Sequence, residues 1–399
     1  MSTKVLVVGR PFDLSNAPYD GFVTHHRRLV EQLAKGYDVS IMLLRPWYDQ
    51  ASLREELRPL LIGEIPIPAG PSSKSRRLVF AIKALRLAGW EKVLLEAARS
   101  IEPDVVLTLG PWLTREYRAL YRHLPAVNLL EEDLTVMPDL YPQSAQARLL
   151  RRLEDVLAFG RATALAFVIG DAELVRASRK HPRWSFRVLR YTLDPDEFPL
   201  GTSPSDGTRL LVVGNFAEAR NSDGLGSVLE HLAPHLPVEM KVRVVSGPGL
   251  HPSLEKWANK PWFDWAVDPT QMSEEYRNAR LTLVPATRVT GVKTTVLQAW
   301  VSGCPVVATE AVAMSLPLGA QDALLVGRDA YEITNLILQA WTDSARRSDL
   351  SARGSAFVQE HFDASREQQK LMDALAEAIE ARKFPSAPST RKNAASRRS

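Results

Sequence analysis

From Arg288 to Thr309 the chain reads RVTGVKTTVLQAWVSGCPVVAT, a stretch whose residue types suit the binding of a diphosphate. A β-branched apolar run, Arg280–Val284, precedes it. A loop then carries Gly291 and Lys293 into a helical spacing of Val296, Leu297, Trp300 and Val301, which Ser302 and Gly303 end. The first N–H groups of such a helix lack intrahelical partners and lie at the positive end of its dipole, so they favour an anion. Gly291 lets backbone approach a ligand, and Lys293 adds a mobile cation. Thr290, Val292, Thr294, Thr295 and Gln298 share this loop and the first turns.

A second group of chemistry-bearing residues follows other apolar runs. Gly214 and Asn215 end the run Leu210–Gly214, and Arg220 lies just beyond, where a guanidinium could grip a phosphate through two bonds. Glu131, Glu132 and Asp133 follow Val127–Leu130; at the carboxyl edge of a strand, Asp133 could orient a substrate hydroxyl. Gly21 precedes the first helical pattern, which carries His25 and His26, read as exposed, one or both, and without a ligand-spaced partner. Asp194-Pro-Asp196 has the spacing of a cation motif but stands among turn residues, so no metal is expected. Cys304, the one cysteine, lies in an apolar run and reads as a small buried hydrophobe, which excludes an intrachain disulfide and thiol catalysis.

The elements that must position these residues alternate regularly. Val5–Gly9, Val39–Leu44, Val105–Leu109, Val127–Leu130, Leu165–Ile169 and Phe186–Leu189 read as buried parallel strands separated by helical patterns. A second series runs through Leu210–Gly214, Lys241–Ser246, Trp262–Val267, Arg280–Val284, Pro305–Thr309 and Ala323–Val326. Between the series the Pro-, Gly- and Asp-rich stretch around 199–207 reads as a linker. The predicted architecture is therefore α/β, with one doubly wound domain over 1–198 and another over 208–381, and a ligand cleft between the carboxyl edges of their sheets.

Length and composition agree. At 399 residues the chain exceeds the roughly 250–300 at which single cores stop growing. The net charge of +4 is carried by the tail: the last nineteen residues hold six Lys or Arg and no acid, and without them the chain stands at −2. A nucleic-acid-binding core is therefore not indicated, and residues 382–399 read as a solvated, disordered basic tail. No apolar stretch reaches the ~18–20 residues of a membrane span, and the N-terminus enters a strand pattern at once, so a cytoplasmic protein is expected. Residues 74–93, KSRRLVFAIKALRLAGWEKV, form a basic amphipathic pattern that could rest on an anionic membrane at its inner face.

The 288–309 segment resembles the donor-site stretch of the large retaining GT-B glycosyltransferase family that includes phosphatidylinositol mannosyltransferases and polysaccharide-assembly enzymes. There the pattern is close to G-x-K-x-K-V-L-E-A-M-A-x-G-x-P-V-V-A-T. Gly291, Lys293, Val296, Leu297, Ala299, Gly303, Pro305, Val306, Val307, Ala308 and Thr309 match it. Weaker resemblances lie at Tyr19–Val23, Arg190–Pro199 and Leu211–Asp223. The resemblance implies a GT-B fold of two Rossmann-like domains and a metal-independent, cofactor-free transfer of a sugar from a nucleotide donor to an acceptor hydroxyl. The acceptor would be a carbohydrate, a lipid-linked sugar or a small molecule. It also implies that Lys293 and Arg220 neutralise the departing diphosphate. Thr290 and Gln298 stand where the family often carries an E-x7-E pair, and Thr295 where it prefers lysine. Those departures raise an alternative, a relative that binds nucleotide-sugar or acts as a scaffold without turnover.

Overall fold

The computed structural model describes residues 2–15, 21–46, 51–67, 92–110, 118–131, 165–193, 195–201, 206–217, 219–247, 249–267, 269, 271–289 and 291–383. Asp133, Thr290, Asp194, most of 74–93 and the tail beyond 383 lie outside them, as does the side chain of Arg220.

The first sheet is wholly parallel. It comprises β1 (Lys4–Gly9), β2 (Asp38–Pro46), β3 (Leu61–Ile67), β4 (Val105–Leu109), β5 (Ala126–Glu131), β6 (Leu165–Val168) and β7 (Ser185–Val188), in spatial order 3-2-1-4-5-6-7. Its central strands are buried on both faces, which is why they read as continuous Val, Leu and Ile runs rather than alternating ones. Helices α1 (Gly21–Leu33), α2 (92–100), α3 (Arg118–His123) and α4 (Asp171–Lys180) connect these strands. Leu29, Val30 and Leu33 of α1 seat on one face, and Leu94 and Ala98 of α2 on the other.

Strand β3 has no counterpart in the sequence expectation. Gly63 and Pro66 interrupt its apolar run, and it lies at the sheet edge, where a strand tolerates proline because one side of its backbone pairs with nothing.

The second sheet repeats the plan. It contains β8 (Arg209–Val213), β9 (Lys241–Ser246), β10 (Phe263–Val267), β11 (Ala279–Val284), β12 (Val306–Thr309) and β13 (Leu324–Gly327), all parallel, in order 10-9-8-11-12-13. The helices between and after them are α5 (Ala219–Leu232), α6 (Pro252–Ala258), α7 (Met272–Arg277), α8 (Thr294–Val301), α9 (Glu310–Ala313), α10 (Ala330–Thr342) and α11 (Ser344–His361). In both sheets the winding direction reverses between the first and fourth strands, at β1/β4 and β8/β11. A crevice opens at such a point because the flanking connections leave to opposite faces.

The linker is fastened to the second domain. Arg280 stacks on the Trp341 ring at 4.5 Å and donates to the carbonyls of Gly207 (2.7 Å) and Asp206 (2.9 Å). Arg347, almost wholly buried, donates to the last carbonyls of α10, Ala340 and Trp341, and pairs with Asp206 at 2.8 Å. Gly201 lies flush on the end of α8, its N–H donating to Val301 O at 2.6 Å.

The last helix departs from the expected partition. Residues 208–381 were expected to form one domain, yet α12 (Ala364–Lys383) returns to the first sheet. Leu371, Ala374 and Leu375 join the core beneath β1, β4 and β5, and Glu377 pairs with Arg187 at 2.6 Å. Fully buried Glu367 accepts from the Arg190 N–H (2.8 Å) and the Lys370 ammonium (2.6 Å) at the start of this crossing. The apolar stripe of α12 shows that it must cover something; periodicity carries no address for the sheet it covers.

Candidate functional site

Both loops that sequence reasoning singled out in the second half flank its switch point. The loop after β8 begins at Gly214, whose N–H donates to Val245 O at 3.0 Å. It is held by its own polar groups. Asn215 Oδ1 accepts from the Ala217 N–H (3.2 Å), its carbonyl from Asn221 Nδ2 (2.8 Å), and buried Ser246 Oγ from the Phe216 N–H (3.1 Å). Ser222 Oγ donates back to Phe216 O at 2.7 Å, closing the turn into α5. The backbone of Arg220 lies in the first turn of α5.

The loop after β11 enters α8. Gly291 has φ +59°, the left-handed region where an L side chain costs about 1–2 kcal/mol, so glycine lets the chain turn there. Lys293 is the N-cap, in extended conformation, and no side chain caps the helix. The first-turn N–H groups of Thr294 and Thr295 thus point out of the helix, with the half-buried Lys293 beside them. Thr294, Thr295 and Gln298 are half-buried, while Val296, Leu297, Ala299 and Trp300 on the opposite side are buried. Thr309 Oγ1, at the end of β12, donates to Ala286 O at 2.5 Å and caps α9, tying the next strand to the loop.

The two loops are in contact. A methyl group placed on Gly224 of α5 would lie 2.0 Å from Pro285 O, so α5 approaches the β11 loop closer than any other residue type permits. The β11 loop also reaches the first domain. Ile169 and Tyr191 share one buried cluster with Val292, Val296 and Trp300, and the Cβ position of Gly170, at the start of α4, lies 3.7 Å from Val292 Cγ2. The N-terminus of α8 therefore sits where the domains meet.

At the first sheet's switch point the structure assembles residues that sequence reasoning passed over. Arg10, leaving β1, pairs with Asp13 at 2.6 Å, and its N–H donates to Asp13 Oδ2 at 2.8 Å. Gly110, leaving β4 with φ +73°, brings its Cβ position to 3.7 Å from Asp13 Oδ1 and 3.8 Å from His26 Cε1. His25 and His26, expected at the surface, are each 1% exposed, because their face of α1 turns into the domain. Glu173, beside Gly170, is buried and paired with Arg176 at 2.6 Å. A usable signal existed in Arg10-Pro-Phe-Asp13, charged residues directly after a strand, the same reasoning that selected Asp133. Glu131 closes β5 at this edge; Glu132 and Asp133 lie outside the described residues.

Burial controls the titration of this region. His25, stacked on the Tyr191 ring at 5.4 Å, is pushed from 6.5 down to about 3 by desolvation, with His26 and Arg28 adding repulsion. Unfolding restores its ordinary value, so below pH 6.5 the unfolded chain binds a proton that the folded chain refuses, and stability falls as pH falls towards 3. At about 1.4 kcal/mol per pH unit, the loss between pH 6.5 and 5 is about 2 kcal/mol. His25→Phe, which keeps the stack, should flatten the fall; melting curves of both proteins across that range check it, and equal slopes would refute the assignment. Cys304, donating towards backbone carbonyls beside Thr282, is pushed up to about 12, in keeping with a buried thiol.

A separate cleft of about 490 Å³ opens among Arg122, His123, Arg183 and Glu377. It lies where β5, β6 and β7 begin, at the edge of the sheet opposite the switch point, and belongs to no donor site of this architecture. Among the described residues, no cluster of three or more His, Cys, Asp or Glu side chains could hold a metal, and no helix is long and apolar enough to cross a membrane.

Two doubly wound sheets facing a shared cleft, with an anion-directed helix start on the second, define the GT-B class. Residues 207–343 match the glycosyl transferases group 1 family, and the first domain lies outside the matched span. A sucrose-phosphate synthase from Thermosynechococcus elongatus has the same fold, with a TM-score of 0.73 at 15% identity over 95% of this chain and 100% of its own. HepE from Anabaena, solved with UDP and glucose, gives 0.68 at 16% identity over 94% and 99%. WaaG, a glycosyltransferase of lipopolysaccharide biosynthesis, gives 0.65 at 15% over 93% and 99%. No curated protein matches the chain by sequence.

Proposed function

We propose that the protein transfers a sugar from a nucleotide-sugar donor, held by the second domain, to an acceptor hydroxyl presented by the first. The observation that carries this reading is the uncapped start of α8. It lies beside the switch point of the second sheet, with Gly291 turning the chain and Lys293 flanking it, inside the span that matches the family. Breaking the bond between the anomeric carbon and the diphosphate oxygen leaves negative charge on the nucleoside diphosphate. Fixed N–H groups, with the cation that Lys293 brings to the helix start, stabilise that charge with little reorganisation. No metal is needed for that step, and retention of configuration follows the family resemblance. Asp133 and the Asp13–His26–Gly110 edge are the groups that would meet the sugar or acceptor from the opposite side.

HepE binds UDP and UDP-glucose, which makes UDP-sugars the first donors to try. The test is release of nucleoside diphosphate from UDP-, GDP- and dTDP-sugars, without acceptor and with simple glycoside, glycolipid and sugar-phosphate acceptors. Sustained release from one donor supports the reading. Tight nucleotide binding without release from any donor supports a second reading, a nucleotide-sugar-binding scaffold, which Gln298 in the place of a glutamate favours.

A further inference from the structure

The cleft of about 490 Å³ in the first domain has Ala126, Leu165 and Ser185 on its wall, the first residues of β5, β6 and β7, and so lies on the edge away from the donor site. Its volume falls within the roughly 300–1,000 Å³ of small-molecule sites. Arg122 and His123 line it from the end of α3, and Arg183 from the turn between α4 and β7. The neighbours of the two arginines anchor them. Tyr121 and Trp184 are both buried and meet edge-on, ring centroids 5.2 Å apart, and the Tyr121 hydroxyl shares a 3.0 Å hydrogen bond with Thr108 Oγ1 inside the domain. The backbones that carry Arg122 and Arg183 are thereby held against one another, while both arginines stay exposed.

Glu377 of α12 is the one carboxylate among the described lining residues, and it is paired with Arg187 at 2.6 Å. The cleft therefore gathers positive charge in a concavity, whose low-dielectric walls concentrate the field on an anion. A basic residue at the end of a helix can serve that helix's dipole, which would account for Arg122 and His123. It does not account for Arg183, which belongs to another element and lines the same space.

We infer that this cleft is a second ligand site, for a hydroxylated phosphomonoester of sugar-phosphate size. Two guanidinium forks and an imidazole, supplied by two elements, suit a tetrahedral group with three terminal oxygens. A phosphate alone would leave much of the volume empty. The remaining wall combines Ser185 and Glu377, which can bond hydroxyls, with half-buried Leu124 and Leu165, which can lie against a carbon skeleton. A ligand held there would touch both the first sheet and α12, the helix that returns to it from the second domain. The site stands or falls independently of the donor site.

Calorimetric titration of the full chain with glucose 6-phosphate, mannose 6-phosphate, glycerol 3-phosphate, inorganic phosphate and unphosphorylated glucose tests this. At least one of the esters should bind with a Kd below about 1 mM, inorganic phosphate about fivefold more weakly or worse, and glucose not measurably. Arg122→Ala and Arg183→Ala should each weaken the ester roughly tenfold, the size of a hydrogen bond to a charged group. Both residues are exposed, so the melting curves of these variants should match the wild type and report that they are folded. Lys293→Ala, at the donor site, should leave ester binding unchanged. Ester binding that is lost in Lys293→Ala and kept in the two arginine variants would place the ester in the donor cleft and overturn the inference. Failure of every ester to bind would overturn it as well, and so would esters and inorganic phosphate binding equally, since that leaves only a bare anion contact.

Discussion

Lys293→Ala should lower turnover of the preferred nucleotide-sugar about 10²–10³-fold, the range seen when one preorganised donor to a developing anion is removed. The argument is positional. Lys293 caps α8 by its backbone, and no side-chain cap bond is lost with it, so the helix start should survive the change. What disappears is the cation beside the N–H groups of Thr294 and Thr295. Because the charge on the diphosphate grows as the glycosidic bond breaks, the loss should fall mainly on kcat and less on KM. Steady-state kinetics of the two proteins check this. Lys293→Arg should recover part of the rate, since it restores charge with a different donor geometry. An unchanged kcat in Lys293→Ala would remove Lys293 from the chemistry.

Gly224→Ala should be the most damaging single methyl in the second domain. Its Cβ would lie 2.0 Å from Pro285 O and 3.1 Å from Pro285 C, and a backbone carbonyl cannot rotate aside as a side chain can. Either α5 lifts away or the β11 loop shifts, and both carry donor-site residues. Overpacking of this kind typically costs about 1–3 kcal/mol. For a domain of this size each kcal/mol lowers the melting temperature by roughly 2–4 °C. Nucleotide affinity should fall along with stability. Gly226→Ala, two residues on in the same helix, is the control: its nearest neighbour would be Leu254 Cδ2 at 3.8 Å, an ordinary contact. Alanine is the better helix former by about 0.5–1 kcal/mol, so Gly226→Ala should leave the protein unharmed or slightly more stable. Calorimetric scans of the three proteins separate the outcomes.

Much of this architecture was legible because buried parallel strands have a plain signature. Runs such as Val5–Gly9 and Val105–Leu109 are apolar at all or all but one position, and the twelve runs identified all correspond to strands of the two sheets. The placement of Gly214, Asn215 and Gly291–Gln298 at one crevice also follows from sequence order alone, since strand–helix alternation puts every such loop at the same edge. Three things were hidden. Strand β3, carrying Gly63 and Pro66, has the composition of a loop and becomes a strand only because β2 offers it an edge. Helix α12 looks like any amphipathic helix, and its return to the first sheet depends on the position of a face that lies far away in sequence. His25 and His26 looked polar and therefore exposed; which side of α1 faces inward was decided by the packing of Leu29, Leu33 and Tyr191, not by the histidines.

Gln298 shows the same limit at the scale of one side chain. Its substitution for glutamate was visible in the sequence, whereas its bond to Tyr276, twenty-two residues earlier, required the fold. Arg10 and Asp13 were likewise visible as residue types, and only the approach of β4 and α1 gives them a place at the crevice.

Amide hydrogen exchange with and without saturating nucleotide tests the central claim most directly, because it locates the donor as well as detecting it. The account predicts slowed exchange in two separated segments, the start of α8 from Gly291 to Leu297 and the β8 loop from Gly214 to Ala217, with weaker protection at Gly170–Glu173 across the cleft. Protection confined to the Arg122–Arg183 cleft, or binding that leaves the α8 start unprotected, would contradict it.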